Sequence, residues 1–259
     1  MISPFGSETL QSLYIDDSSL REESLKEAGR LPSIVISSTA AANAVMLGGG
    51  YFNPLNGFMN LKETLNVSES MKLESGLFWP VPIINMIHDQ DLNEEIRSAS
   101  KIALKDPNVE GNPVLAVQEV KSIEFISNEV KKSIINQVFS TEDPNHPGVV
   151  SFLNGGNTLI SGPIQVLNFS YFSSDFPKTF RTATQIRTEI ENRGWEKTVA
   201  FQTRNPMHRA HEELCKMAMK DLNADGLLIH MLLGKLKKGD IPADVRETAI
   251  QKMVENYFP

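Results

Sequence analysis

The sequence predicts an α/β chain in two parts: a β-rich α+β region over residues 1–167 and a strand–helix–strand region over residues 168–259. Three observations predict it. Short strand-like runs bounded by Gly and Pro fill the first part, and after Ser174 the apolar stretches lengthen and alternate between strand and helix spacing. The length of 259 residues, with 41% hydrophobic and 22% charged residues, suits two globular units and excludes a disordered polymer or a fibre.

Element by element, Ser18 to Ala28 reads as a helix and Ser33 to Ile36 as a strand. A small-residue helix from Ser38 to Met46 then ends in Gly48-Gly49-Gly50, which frees the backbone for a tight exit. No Lys-Ser/Thr follows these glycines, so they are a turn and not a phosphate loop. Phe78 to Met86 carries Pro80 and Pro82 and is confined to an edge strand or extended segment, whereas Val114 to Val120 alternates as a half-buried strand does. Val130, Ile134, Ile135, Val138 and Phe139 follow helical spacing. Thr141 to Gly148 is a surface loop, followed by strand-like pieces at Val149 to Leu153 and Asn157 to Ile160. Such short mixed strands suggest a small barrel.

In the second part a helix runs from Thr182 or Thr184 to Asn192, burying Ile186 and Ile190 and stopping at Gly194. Thr198 to Phe201 is a short strand, Pro206 suits the first turn of a helix, and Leu214, Met217 and Ala218 give that helix an apolar face. Gly226 to Leu233 is the next strand. This is βαβ spacing, which places a ligand crevice at the carboxyl end of the first strand.

Several function classes are disfavoured. The longest apolar run, Gly226 to Gly234, is broken by His230 and is far short of the ~20 residues that cross a bilayer. The opening MISPFGSETL has no signal-peptide character and Cys215 has no second cysteine to pair with, so the expected location is a reducing cytoplasm, with no membrane partner. The sequons at Asn66 and Asn168 are then chance matches. A net charge of -7 argues against nucleic acid as a partner. From Arg204 to Arg246, however, the local charge is +2 against -9 elsewhere, which marks where an anion would bind.

The crevice falls on Gln202-Thr203-Arg204-Asn205-Pro206-Met207-His208-Arg209-Ala210-His211. A helix N-terminus presents unpaired N–H groups and the positive end of a dipole to phosphate or sulfate. Arg204 adds a planar fork that matches two oxygens of a tetrahedral anion, and Gln202 and Asn205 add amide donors. His208 and His211, three apart, share one helix face. Plainer readings stand beside this one. The histidines also fit a solvated pair without a role, and metal ligation lacks a third ligand and the H-E-x-x-H order. His230 reads as a satisfied core histidine with a ligand as its alternative, Cys215 as packing rather than a nucleophile, and Lys235, Lys237 and Lys238 as a solvated turn near enough to the crevice to meet phosphate.

Gln202 to His211 resembles the QxRNPxHxAH signature of the ATP sulfurylase (sulfate adenylyltransferase) family. Phe52-Asn53-Pro54-Leu55-Asn56-Gly57-Phe58-Met59, Leu77 to Pro82, Thr141 to Gly148 and Gly239 to Pro242 agree with it in order. The resemblance implies a PUA-like N-terminal domain and the first part of a Rossmann-like nucleotidyltransferase domain, with no tightly bound cofactor or metal. It implies ATP with Mg²⁺ and sulfate as substrates and adenylyl sulfate and pyrophosphate as products, and is compatible with a homo-oligomer. Carried onto this chain, Gln202 and Arg204 hold sulfate, Thr203 and Asn205 position the reacting groups, and His208 with His211 stabilise the leaving pyrophosphate. All six residues contact ATP in that reading.

Two departures qualify it. The family reads His-Pro where this chain has His230-Met231, and its later MRYAGPREA-like and GRDHAG-like stretches are missing. The expectation is therefore a fragment of a longer enzyme, with a non-catalytic binding module as the alternative. Whether the reaction runs toward sulfate assimilation or toward ATP synthesis stays open.

Overall fold

The computed structural model describes residues 2–232, 234 and 240–258. The chain divides into two compact units, one of Ser3–Tyr171 and one of Phe172 onward together with Ile2.

The first unit runs α1 (Ser18–Ala28), β1 (Ser33–Val35), α2 (Ser38–Gly48), β2 (Gly57–Phe58), α3 (Leu61–Ser70), β3 (Met86–Ile87), a short 3-10 turn (Asp89–Asp91), α4 (Glu94–Ser98), β4 (Lys101–Lys105), β5 (Val114–Glu119), β6 (Ser122–Phe125), α5 (Asn128–Phe139), α6 (Pro147–Leu153) and β7 (Thr158–Val166). Side-chain caps set several helix starts. Asp17, Ser37, Asn60 and Ser127 each accept a backbone N–H of the first turn, which replaces a partner the helix cannot supply.

β7 is the spine of this unit. Its residues 158–161 pair with β6 and partly with β3, and its residues 162–166 pair with β2 and β5. The change of partners happens where β2 crosses at Gly57. A Cβ on Gly57 would lie 2.1 Å from the Gly162 carbonyl oxygen, and one on Gly162, at φ 138°, would lie 2.1 Å from that of Glu119. Gln118 bridges the two halves, donating to the Ile160 carbonyl at 2.9 Å and accepting from Asn85 at 3.1 Å. β4 and β1 extend the sheet beyond β5, so the pairings form an open path from β1 to β2. The small barrel suggested by the short strands is a curled sheet whose ladder does not close among the described residues.

Leu104, Leu115, Leu159, Ile160 and Val166 are wholly buried in this unit, each contributing roughly 1.5–3 kcal/mol by transfer from water. Residues 149–153, expected as a strand, are helical. Pro147 occupies the first turn and His146 accepts the Val149 N–H at 3.4 Å, so this start outweighs the β preference of Val149 and Val150.

The second unit contains α7 (Phe172–Asp175), α8 (Ala183–Asn192), β8 (Thr198–Thr203), α9 (Arg209–Asp221), β9 (Gly226–Met231) and α10 (Ala243–Tyr257). β8 and β9 are parallel over six residue pairs, from Thr198 with Gly226 to Thr203 with Met231. Asp225 fastens the amino ends of the strands by accepting the N–H groups of Glu196 and Lys197 at 2.8 and 2.9 Å. Gly226 is needed there because a Cβ would lie 2.2 Å from the Trp195 ring.

Three expectations for this unit change. Pro206 precedes the helix, which begins at Arg209 with His208 as its cap. Ile186 and Ile190 are only half-buried. Leu214 and Met217 are exposed, and the buried stripe of α9 is Glu212 and Cys215 with His211 and Met219 beside them. Cys215 packs with Met207 and Ile250, lined by Phe201, Leu227, Ile229 and Met231. The far end of the expected second strand, Leu233, and the run Lys235, Lys237 and Lys238 lie outside the described residues. Among the described residues no helix is long and apolar enough to cross a membrane.

Candidate active site

The turn from β8 into α9 is held from within. Thr203 is buried, and its hydroxyl both accepts the Asn205 N–H at 3.1 Å and donates to the Asn205 carbonyl at 2.9 Å. Its oxygen is therefore committed to shaping the loop. Two residues on, the buried Met207 side chain plugs the loop into the apolar cluster beneath it. Met207 is a site residue without a motif of its own; the one signal for it in the sequence is a lone apolar residue between Pro206 and His208.

His208 and His211 form a capping box across the helix start. The Nδ1 of His208 accepts the Ala210 N–H at 3.3 Å and the Nδ1 of His211 accepts the His208 N–H at 3.3 Å. A ring nitrogen that accepts cannot carry a proton, so each neutral imidazole keeps its hydrogen on Nε2 as a donor. The rings lie 3.9 Å apart between centroids at 31°, and His211 also rests on Phe201 at 5.5 Å. Burial, and then the neighbouring His208, hold the His211 imidazole below its ordinary range. The pair thus presents its Nε2 donors beside the positive end of the α9 dipole, whose first amides at His208, Ala210, His211 and Glu212 are taken up by the cap itself.

Arg204 is half-exposed, and its guanidinium is engaged by the Asp240 carboxylate at 2.5 Å. Gln202 and Asn205 are exposed; on β8, Gln202 alternates to the face opposite Phe201, whose ring His211 touches. The structure therefore joins His208 to His211 directly, sets Arg204 and Asn205 on the loop before them, places Gln202 across the sheet from the Phe201 cluster, and turns Thr203 inward.

Much of the local positive charge is matched internally. Glu212 is buried between Lys216 at 2.6 Å and Arg209 at 2.8 Å, and the Lys216 hydrogen bond first, with the Arg209 charge behind it, holds its carboxyl below the usual range. Arg246 is buried in the first turn of α10. What remains for an outside anion is the Nε2 donors, the helix end and, in competition with Asp240, the Arg204 fork. His230, expected to be hydrogen-bonded, has a buried Nε2 with no partner among the described residues, and burial depresses its pKa. The Cys215 thiol is pushed up by burial, as packing requires. Among the described residues no three His, Cys, Asp or Glu side chains are grouped to hold a metal ion.

Fold and site define a two-unit α/β protein with a βαβ crevice that offers guanidinium and imidazole donors at a helix end. Comparison with known proteins narrows this class. A family profile described as PUA-like domain matches residues 2–169, and one described as ATP-sulfurylase matches residues 177–259. The first match places the chain in the PUA-like domain family, and its second unit is similar to the ATP-sulfurylase family. It is 57% identical over 259 residues to a sulfate adenylyltransferase of Alcanivorax borkumensis, and 58% identical over 259 residues to one of Allochromatium vinosum. Each alignment covers 100% of this chain and 64% of the relative. A solved structure described as a hexameric APS kinase from Thiobacillus denitrificans superposes with a TM-score of 0.73 at 24% identity, over 100% of this chain and 45% of that one, which speaks for the fold alone.

Proposed function

We propose that the protein to which this chain belongs is a sulfate adenylyltransferase, converting ATP and sulfate to adenylyl sulfate and pyrophosphate. The observation that carries the reading is the close, tilted histidine pair with its donors on Nε2, at a helix start one short loop after Arg204. The names of the relatives support it.

In this mechanism a sulfate oxygen attacks the α-phosphorus of ATP, a new S–O–P bridge forms, and the α–β bridging bond breaks with its electron pair leaving on pyrophosphate. No proton moves, so a general base gains nothing. Alignment of the two anions, a contribution that reaches about 7–11 kcal/mol in favourable cases, and donors aimed at developing charge carry the rate. Arg204 binds sulfate with its fork, in competition with Asp240. Asn205 and Gln202 orient the reactants, while Thr203 acts by keeping the loop in shape. His208 and His211 donate from Nε2 to the β-phosphate side as negative charge builds there. Mg²⁺ enters with the nucleotide as part of the substrate. A reducing cytoplasm suits the buried Cys215, and the net charge of -7 suits small anions held at a local site better than nucleic acid.

The test is pyrophosphate release by the whole protein, which is expected to need both sulfate and ATP. Arg204→Ala is expected to reduce it at least 10²–10³-fold, about 2.7–4 kcal/mol, the scale of losing one key donor. Turnover that survives the change overturns the assignment.

A further inference from the structure

Arg246 is an unusual residue to find where it is. It lies in the first turn of α10, where the helix dipole disfavours a cation, and it is 3% exposed. Among the described residues it has no carboxylate partner within ion-pair distance. Its Nη1 instead donates to two backbone carbonyls, that of Arg204 at 3.1 Å and that of Leu232 at 2.6 Å. Those carbonyls belong to the residues that directly follow the carboxyl ends of β8 and β9, whose other link there is the Leu232 N–H donating to the Thr203 carbonyl at 2.9 Å. One guanidinium thus ties together the two exits that frame the crevice. The segment from Asp240 to Arg246 holds Arg204 at both ends, by its side chain through Asp240 and by its backbone through Arg246. A buried charge that neutralises no partner is costly to keep, and bracing an anion-binding loop is a reason to keep it.

We propose that Arg246 is a positioning residue: it fixes the backbone of Arg204 so that the fork faces the anion, and it sets affinity for sulfate and not for the nucleotide. This rests on the adenylyltransferase reading. The whole protein is compared as parent, Arg246→Lys and Arg246→Met, by amide hydrogen exchange of Thr203, Arg204, Asn205 and Leu232 and by the half-saturating concentrations of sulfate and ATP in pyrophosphate release. Arg246→Lys keeps a charged donor and guards against simple misfolding of the methionine variant. The expected result is exchange at least tenfold faster at those amides with no change in the β4–β5 ladder. Sulfate half-saturation is expected to rise at least fivefold in Arg246→Met and less in Arg246→Lys, with that of ATP within twofold. Unchanged exchange overturns the brace, and faster exchange with unchanged sulfate half-saturation reduces Arg246 to a structural residue. A parent without sulfate-dependent release instead defeats the adenylyltransferase reading, while the exchange data still decide whether Arg246 holds the loop.

Discussion

The two units are built on opposite economies of burial. In the first, β7 collects partners on both edges, helices cover the sheet, and Leu104, Leu115, Ile134, Leu159 and Ile160 are wholly buried. In the second, β8 and β9 pair only with each other among the described residues, Leu227, Leu228 and Ile229 are half-buried, and Leu214, Met217 and Leu222 are exposed. The second unit leans instead on polar links: Asp225 across the strand starts, Arg246 across their ends, and Glu212 between two cations. Among the described residues, apolar burial holds the first unit together, and a handful of polar links at strand ends hold the loop before α9 in the second.

The sharpest way to break this contrast uses the two tryptophans, Trp79 in the first unit and Trp195 in the second, as separate reporters of urea unfolding. Leu104→Ala is expected to cost the Trp79 transition about 2–5 kcal/mol, the usual range for a buried leucine. Met207→Ala is expected to act on the Trp195 transition, which should have the lower midpoint in the parent. Coincident transitions that shift together would refute the division.

A pH series should sharpen it. The depressed pKa of His211 means that the unfolded chain binds the extra proton first, so the Trp195 transition is expected to weaken as pH falls below the ordinary histidine value of about 6.5. The stabilising effect of the lowered carboxyls of Glu212 and Asp225 is present above the ordinary carboxylate range and should be lost only in stronger acid. Nuclear magnetic resonance of the His211 ring checks the same point, with a midpoint at or above that of a free histidine counting against it.

Helix caps give a matched pair of smaller changes. Ser37→Ala removes the acceptor of the Ala40 N–H in the first unit, and Thr182→Ala removes the capping box with Gln185 in the second; each should cost about 1 kcal/mol. In thermal melts the second should register as the larger fraction of its unit's stability. The smallest expected effect is Glu189→Gln, which weakens the exposed pair with Arg193 by about 0.3–0.5 kcal/mol; a loss several times larger would show that exposed pairs matter more here than burial.

What could be read in advance follows the range of the interactions involved. The extents of α1 and α8 were legible because caps and turns are local chemistry, written within four residues. Residues 149–153 misled because strand preference there was weighed without the Pro147 start. The apolar face of α9 was misread because spacing tells which residues share a face, not which face packs, and the strands meet the face of Glu212 and Cys215 instead. The site motif was legible as a string, yet the inward turn of Thr203, the pairing of Arg204 with Asp240 and the roles of Met207 and Arg246 were not.

By itself, then, the sequence determined the order of most elements, the family likeness and the identity of the donors gathered around one helix start, since each is encoded by neighbours along the chain. Only the tertiary structure decided which donors remain available to a ligand and which are consumed by the fold. Asp240 and Arg246 reach Arg204 across 36 and 42 residues, and contacts at such separations are set by how strands and helices pack, which no local pattern records.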